Sequence, residues 1–190
     1  ARIKTQFSEG DIAIGVNSGS DFNGRGFTLI GSNVARFAQG VDVTYIGRES
    51  ALNLVGNKNT ITGSASANTT ISGNNLSIFG AYSYQNAIGD DNSIFGHDNS
   101  VYVKNMSFST ILGASSLGDM GFNGTGSDGL KSVYETTIIG SFTGNSYKGN
   151  TLNKVISLGS QNFSSFNNTQ DFTNMMFLGN NISEVPLSQT

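Results

Sequence analysis

The chain has 190 residues, of which 12% are charged, with a net charge of -3, 25 glycines, no cysteine and a single proline, Pro186. That length supports one domain, and the composition excludes a basic nucleic-acid binder, charge-solvated disorder, disulfides and thiolate chemistry. No apolar run is long enough for a transmembrane helix, and no leader is visible, so any leader or membrane anchor is expected to lie outside these residues.

Taken in chain order, a glycine closes a short apolar stretch at Gly15, Gly31, Gly47, Gly63, Gly80, Gly96, Gly113, Gly140, Gly159 and Gly179, the first seven 16 or 17 residues apart. A second series follows at Gly24, Gly40, Gly56, Gly73, Gly89, Asn105, Gly149 and Asn168. Gly and Asn are the residues that enter the left-handed backbone region cheaply, so each repeat is read as turning twice. Two short strands and two tight turns in so short a period describe one coil of a β-solenoid. The predicted fold is all-β: a single parallel β-roll over residues 1–190, about ten coils, stacking at roughly 4.8 Å per rung into a rod.

The position before each strand glycine holds Ile14, Ile30, Ile46, Thr62, Phe79, Phe95, Leu112, Ile139, Leu158 and Leu178; the one before that holds Ala13, Leu29, Tyr45, Ile61, Ile78, Ile94, Ile111, Ile138, Ser157 and Phe177. Neighbouring strand residues point to opposite faces, so a strand apolar in both columns is covered on both sides. A slim roll has one inside, and the second face is expected to lie against other copies of the same chain. One position further back stand Thr28, Thr44, Thr60, Ser77, Ser93, Thr110 and Thr137, read as an interior ladder of hydroxyls that suits a close-packed roll.

The repeat breaks once strongly. Gly140 lies 27 residues after Gly113, which makes room for an inserted loop at about 114–136 that carries Leu117, Met120, Phe122 and Leu130. The coils from 140 to 179 are longer too and bring in Phe142, Tyr147, Phe163, Phe166 and Phe172, with Tyr134 just before them. Leu117, Met120, Phe122, Leu130, Tyr134, Tyr147, Phe163 and Phe166 are therefore the candidate partner-binding residues, since interface cores favour aromatics and Met. The competing reading is that the insert covers an edge and the aromatics cap the open end of the solenoid.

Leu76-Ser77-Ile78-Phe79-Gly80, Asn92-Ser93-Ile94-Phe95-Gly96 and Ser109-Thr110-Ile111-Leu112-Gly113 resemble head repeats of the trimeric autotransporter adhesins, the YadA-like group. The likeness includes a small residue three places after the strand glycine, at Ser18, Ser50, Ser66, Ser83, Asn99 and Ser116. It implies a left-handed roll, three rolls around a threefold axis, and display on a Gram-negative outer membrane, where loops of the head bind a host cell-surface receptor or matrix protein. The strand columns Ile14, Ile30, Ile46, Ile78, Phe79, Ile94, Phe95, Ile111, Leu112, Ile138 and Ile139 would then form the trimer and its core. A runner-up is a phage or toxin-type fibre segment holding glycans on Tyr82, Tyr84 or Tyr102. An ice-binding solenoid is disfavoured by the interior placement expected for the Thr and Ser column.

Catalytic chemistry lacks its parts. The lone histidine, His97, can serve no zinc site by itself, and no acids recur at one coil phase. Asp90, Asp91 and Asp98 with Asn92 and Asn99 are the densest oxygen cluster, but Asp and Asn are also what turns use for their own backbone bonds. The expectation is no enzyme, no metal and no cofactor.

Overall fold

The computed structural model describes residues 10–68, 72–84, 88–99, 105–117, 132–144, 151–163 and 171–182. Its strands are β1 (Ile12–Ile14), β2 (Asn23–Ile30), β3 (Gln39–Ile46), β4 (Thr60–Thr62), β5 (Ser77–Phe79), β6 (Ser93–His97) and β7 (Met106–Ser107). They continue as β8 (Thr110–Ala114), β9 (Ser132–Tyr134), β10 (Thr137–Ile139), β11 (Thr151–Asn153), β12 (Ile156–Leu158), β13 (Phe172–Thr173) and β14 (Met176–Leu178). Ten of them form one parallel sheet in the order β1-β2-β3-β4-β5-β6-β8-β10-β12-β14, and β13-β11-β9-β7 form a second. Single bridges joining Gln39, Val55, Ser72, Ile88 and Asn105 extend the second wall through the earlier coils. A third wall is a ladder of backbone bonds, such as Ala35 N–H to Ser50 C=O at 3.0 Å and Tyr84 N–H to Asn99 C=O at 2.8 Å. The chain is a parallel β-solenoid of about eight turns.

Register in the long sheet follows the strand glycines, with Ile78 level with Ile94, Ile94 with Ile111 and Ile111 with Ile138. Numbering each coil from its glycine, position -2 points inward: Leu29, Tyr45, Ile61, Ile78, Ile94, Ile111 and Ile138 are fully buried, one above another. Strand alternation then turns positions -1 and -3 outward. This corrects one expectation. The Thr and Ser ladder from Thr28 to Thr137 is not interior but stands on the outer face, half-buried or exposed, beside the apolar -1 column.

The interior hydroxyls are at +3 instead. Ser83 Oγ donates to the Gly96 carbonyl at 3.0 Å, Ser116 Oγ to Gly140 at 2.7 Å, and Asn99 Nδ2 to Gly113 at 2.7 Å. Ser66 makes the same bond to Gly80. These side chains are buried, and each satisfies a strand-glycine carbonyl of the next coil, where an unpaired acceptor would cost about 1–3 kcal/mol. Buried amides do similar work at -4: Asn59 Nδ2 donates to the Gly73 carbonyl at 2.8 Å while its Oδ1 accepts the Leu76 N–H at 2.9 Å.

The strand glycines are required because the coils stack so closely. A Cβ placed on Gly80 would sit 1.6 Å from the carbonyl oxygen of Gly96, at a φ of +139° that side chains rarely adopt. In the second series Gly56 and Gly89 have positive φ but Gly24, Gly40 and Gly73 do not; what the series shares is close stacking, a Cβ on Gly40 lying 2.2 Å from the Gly56 carbonyl. The left-handed positions are +2, +4 and -5, and they hold Asn17, Asn33 and Asn75 but also Glu49, Ala51, Tyr82, Phe108 and Phe142.

The second series also ends earlier than its sequence suggests. Asn105 pairs with Ile88, so the residue level with Gly89 is Met106, followed in register by Val133, Leu152 and Phe172. Gly149 and Asn168 lie outside the described residues. In the early coils glycine at this position leaves room for Phe27, Val43 and Leu76 at -4, whereas the later coils fill it and place Ser109 and Thr136 at -4. In the coils of Ser109 and Thr136 bulk has thus moved from one position to the other, whereas the last two coils fill both, with Leu152 and Val155 and then Phe172 and Met175.

Gly80→Ala is expected to lower stability in urea by about 3 kcal/mol or more through overpacking against backbone. Gly179→Ala, whose added Cβ would meet only Ile182 Cδ1 at 4.0 Å, is expected to cost about 1–2 kcal/mol from its φ alone.

Candidate functional site: the outer face of the long sheet

Two columns of side chains run the length of the outer face. Position -1 supplies Ile14, Ile30, Ile46, Thr62, Phe79, Phe95, Leu112, Ile139, Leu158 and Leu178, and position -3 supplies Ile12, the Thr and Ser ladder, Ile156 and Met176. No residue in either column is charged. The exposed members of the -1 column range from 37% for Phe95 to 60% for Leu178. Phe79 and Phe95 stack face to face on successive rungs, centroids 5.2 Å apart and rings within 4° of parallel, and the small Ser77 and Ser93 stand beside them.

Charge lies elsewhere. Asp42, Lys58, Asp91, Glu135 and Lys154 occupy the -5 bend, while Arg48, Glu49, His97 and Asp98 follow the strand glycines. Against expectation, three acids thus share one coil phase, though never on adjacent rungs. The pairs among the described residues are surface ones: Lys154 Nζ to Glu135 Oε2 at 3.8 Å, Arg36 Nε to Asp21 Oδ2 at 3.9 Å and His97 Nδ1 to Asp98 Oδ2 at 2.8 Å. Such exposed pairs contribute at most about 1 kcal/mol each. The outer face is thus a continuous uncharged strip bordered by charged bends.

The strand residues expected to make a trimer and its core divide cleanly between two faces. Ile78, Ile94, Ile111 and Ile138 are interior, whereas Ile14, Ile30, Ile46, Phe79, Phe95, Leu112 and Ile139 face out.

The expected partner-binding residues divide less favourably. Leu117, read as an exposed loop residue, is fully buried, with its N–H donating to the Thr143 carbonyl at 2.9 Å; it belongs to the +4 column of the coil and precedes the inserted segment. Phe163 is also fully buried, packing against Phe172 and Phe177 at centroid distances of 5.7 and 4.9 Å, so it plugs the C-terminal end of the core. Tyr134 is exposed as expected and meets Phe108 edge to face at 5.4 Å. Met120, Phe122, Leu130, Tyr147 and Phe166 lie outside the described residues.

Of the tyrosines considered for glycan stacking, Tyr82 is exposed and touches the His97 ring, whereas Tyr84 is buried, donating to the Gly89 carbonyl at 2.9 Å and accepting from Asn92 Nδ2 at 3.1 Å. Tyr102 lies outside the described residues. Phe108, at 53% exposure, is a surface aromatic that the sequence reading passed over, and its signal was the left-handed -5 position shared with Asp91 and Glu135.

The dense oxygen cluster around Asp90 and Asp91 is engaged in the coil ladder. Asp90 Oδ1 accepts the Asn74 N–H at 2.6 Å and Asn74 Nδ2 at 3.0 Å, and Asp91 Oδ1 accepts Asn75 Nδ2 at 2.8 Å. Among the described residues no three His, Asp or Glu side chains converge on a point that could hold a metal. Burial pushes the Tyr84 hydroxyl well above the usual tyrosine range, with the bond from Asn92 opposing the shift. Burial raises Tyr45 likewise.

No protein-family model, curated protein or solved structure matches this chain.

Phe163→Ala is expected to cost about 3–5 kcal/mol and to lower the Tm, whereas Phe108→Ala and Tyr134→Ala are expected to leave the Tm almost unchanged; thermal melts compare the three. Because Tyr84 is held protonated in the fold, its contribution is complete below the unfolded value of about 10 and is lost as pH rises above it. Stability in urea should therefore fall on the alkaline side of pH 10, and Tyr84→Phe should flatten that fall while costing about 1 kcal/mol at pH 7 for its two lost hydrogen bonds.

Proposed function

We propose that this chain is the head of a surface-anchored trimeric adhesin of the YadA-like kind. In this reading three left-handed rolls, each carrying the ten glycine-closed strands, pack around a threefold axis, and the assembly is displayed on the outer membrane of a Gram-negative bacterium. Its role is adhesive and structural rather than enzymatic. Exposed loops hold a host cell-surface receptor or a matrix protein, and three copies per head convert weak contacts into firm attachment.

One observation carries the reading: an uncharged strip along the whole outer face leaves large apolar side chains roughly half exposed on most rungs. Covering the exposed half of each is worth about 1 kcal/mol per side chain, and contiguous apolar patches of this extent mark interaction sites. A partner of the same sequence presents the same strip with the same rung spacing, which is why self-association suits it better than an unrelated protein. The receptor-facing candidates are the surface aromatics Tyr134, Phe108 and Phe142, together with the inserted segment between Leu117 and Ser132. The runner-up is a trimeric phage or toxin-type fibre segment that binds glycans; it shares the rod and the strip and differs in what flanks them.

Native mass spectrometry at micromolar concentration is expected to give a trimer, and Leu112→Lys, at an outward position, is expected to give a folded monomer with unchanged circular dichroism. A wild-type monomer would end this reading. With the trimer established, pull-down from host surface and matrix proteins is expected to recover a partner that is lost when 118–131 are deleted or when Tyr134 and Phe108 are both changed to Ala; retention by both variants would move the receptor site elsewhere.

A further inference from the structure

The early half of the second wall carries an open groove of about 470 Å³ running along the solenoid axis, and none of its lining residues is charged. The backbones of Gly40 and Gly56 floor it; Asn23, Gln39 and Ser72 stand on one side, Asn57 on the other, and Val41 and Val55 add apolar surface. At the floor position the later described coils carry Met106, Val133, Leu152 and Phe172, whose side chains point into the core, in place of these glycines.

What can bind there is limited by which groups are already engaged. The main chain is occupied: Gly56 N–H bonds the Gln39 carbonyl at 2.9 Å, Gly73 N–H the Val55 carbonyl at 3.1 Å, and Lys58 N–H the Val41 carbonyl at 2.9 Å. The N–H groups of Val41 and Asn57 are taken by the Oδ1 atoms of Asn57 and Asn74, both at 2.8 Å. An extended peptide therefore meets no free main-chain row to pair with, as strand addition requires. The unengaged groups are neutral side chains. Asn23, Gln39 and Ser72 form no side-chain hydrogen bond among the described residues, and Asn57 keeps its Nδ2 free.

We propose that this groove binds an unbranched chain of neutral hexopyranoses. Amides and a hydroxyl offer donors and acceptors together, which is what sugar hydroxyls need, and the two valines offer contact for the apolar C–H faces of the rings. Asn23, Gln39, Val55 and Ser72 follow one another on one side and Val41, Asn57 and Asn74 on the other at rungs about 4.8 Å apart, so a linear polymer lying along the axis spans several of these groups. The absence of charge from the lining disfavours acidic or sulfated chains. The site lies on a different wall from the outer apolar strip and depends neither on trimer formation nor on a protein receptor.

The test is an amide NMR titration of the full chain with cellohexaose, maltohexaose and chitohexaose, and with a heparin hexasaccharide as the charged contrast. The expected result is that at least one neutral hexasaccharide shifts the amides of Gly24, Gly40 and Gly56, with an affinity insensitive to salt. Gln39→Ala combined with Ser72→Ala should weaken that affinity about tenfold with unchanged Tm, as two lost hydrogen bonds imply. Val55→Glu, a surface change that brings charge into the groove, should do the same by a separate route. No shift with any neutral hexasaccharide, shifts confined to other walls, binding of the heparin fragment alone, or variants that bind as tightly as the wild type would each overturn the proposal. So would a peptide that displaces the bound sugar and occupies the groove more tightly.

Discussion

The structure depends on how closely one backbone may approach the next at the corner that closes each strand. There the carbonyl oxygen of one coil stands where a side chain of the preceding coil would begin: 1.8 Å from a Cβ built on Gly15, 2.1 Å on Gly47 and 1.8 Å on Gly159. Only glycine leaves that space open, and the +3 side chain then reaches across to bond the same carbonyl. Close stacking and its polar satisfaction are thus one device, repeated at each rung from Ser66 to Thr143. Once the corners are fixed in this way, alternation along the strand decides what faces in and what faces out.

A solenoid this slim buries only a single file of -2 residues from its long sheet, and the remaining core comes from -4, -7, +3, +4 and +7. The core is therefore long and thin, sealed at its far end by Phe163, Phe172 and Phe177. Such a shape exposes much surface for each residue buried, and apolar side chains left on a flat sheet face remain favourable to cover. The same thinness brings many polar groups near a neighbour on the adjacent coil, which explains why Asn and Asp, elsewhere content to bond their own turns, here bond across coils, as Asn17 does to Asn33 at 3.1 Å and as Asp11 does by accepting the Gly26 N–H at 2.7 Å.

The period, the parallel stacking and the two-sided strand were legible in the sequence because glycine and apolar residues repeat in phase over most of the chain. The side on which the Thr and Ser ladder falls was equally determined by alternation, yet a preference for small hydroxyls inside a narrow roll drew the reading the wrong way. Positions -7 and -5 were hidden for a different reason. At -7 the residue type changes from Gly to Met106, Val133, Leu152 and Phe172, so identity drifts while geometry holds; at -5 the left-handed backbone is accepted by Phe108 and Lys154 as readily as by Asn75. Leu117 and Phe163 misled because burial at +4 is set by the coil and not by the polar, glycine-rich sequence around them.

The exchange of bulk between -7 and -4 has an evolutionary corollary. A roll assembled by copying one unit would let any coil be duplicated, deleted or shuffled, but here the coil of Leu76 carries its bulk at -4, those of Met106 and Val133 carry it at -7, and the last two fill both. Each filling has to suit the coils above and below it, as Thr136 at -4 does beneath Val155. A copied coil fits best beside a neighbour that fills -4 and -7 as it does, and the step from Gly89 to Met106 is where the filling of -7 first changes.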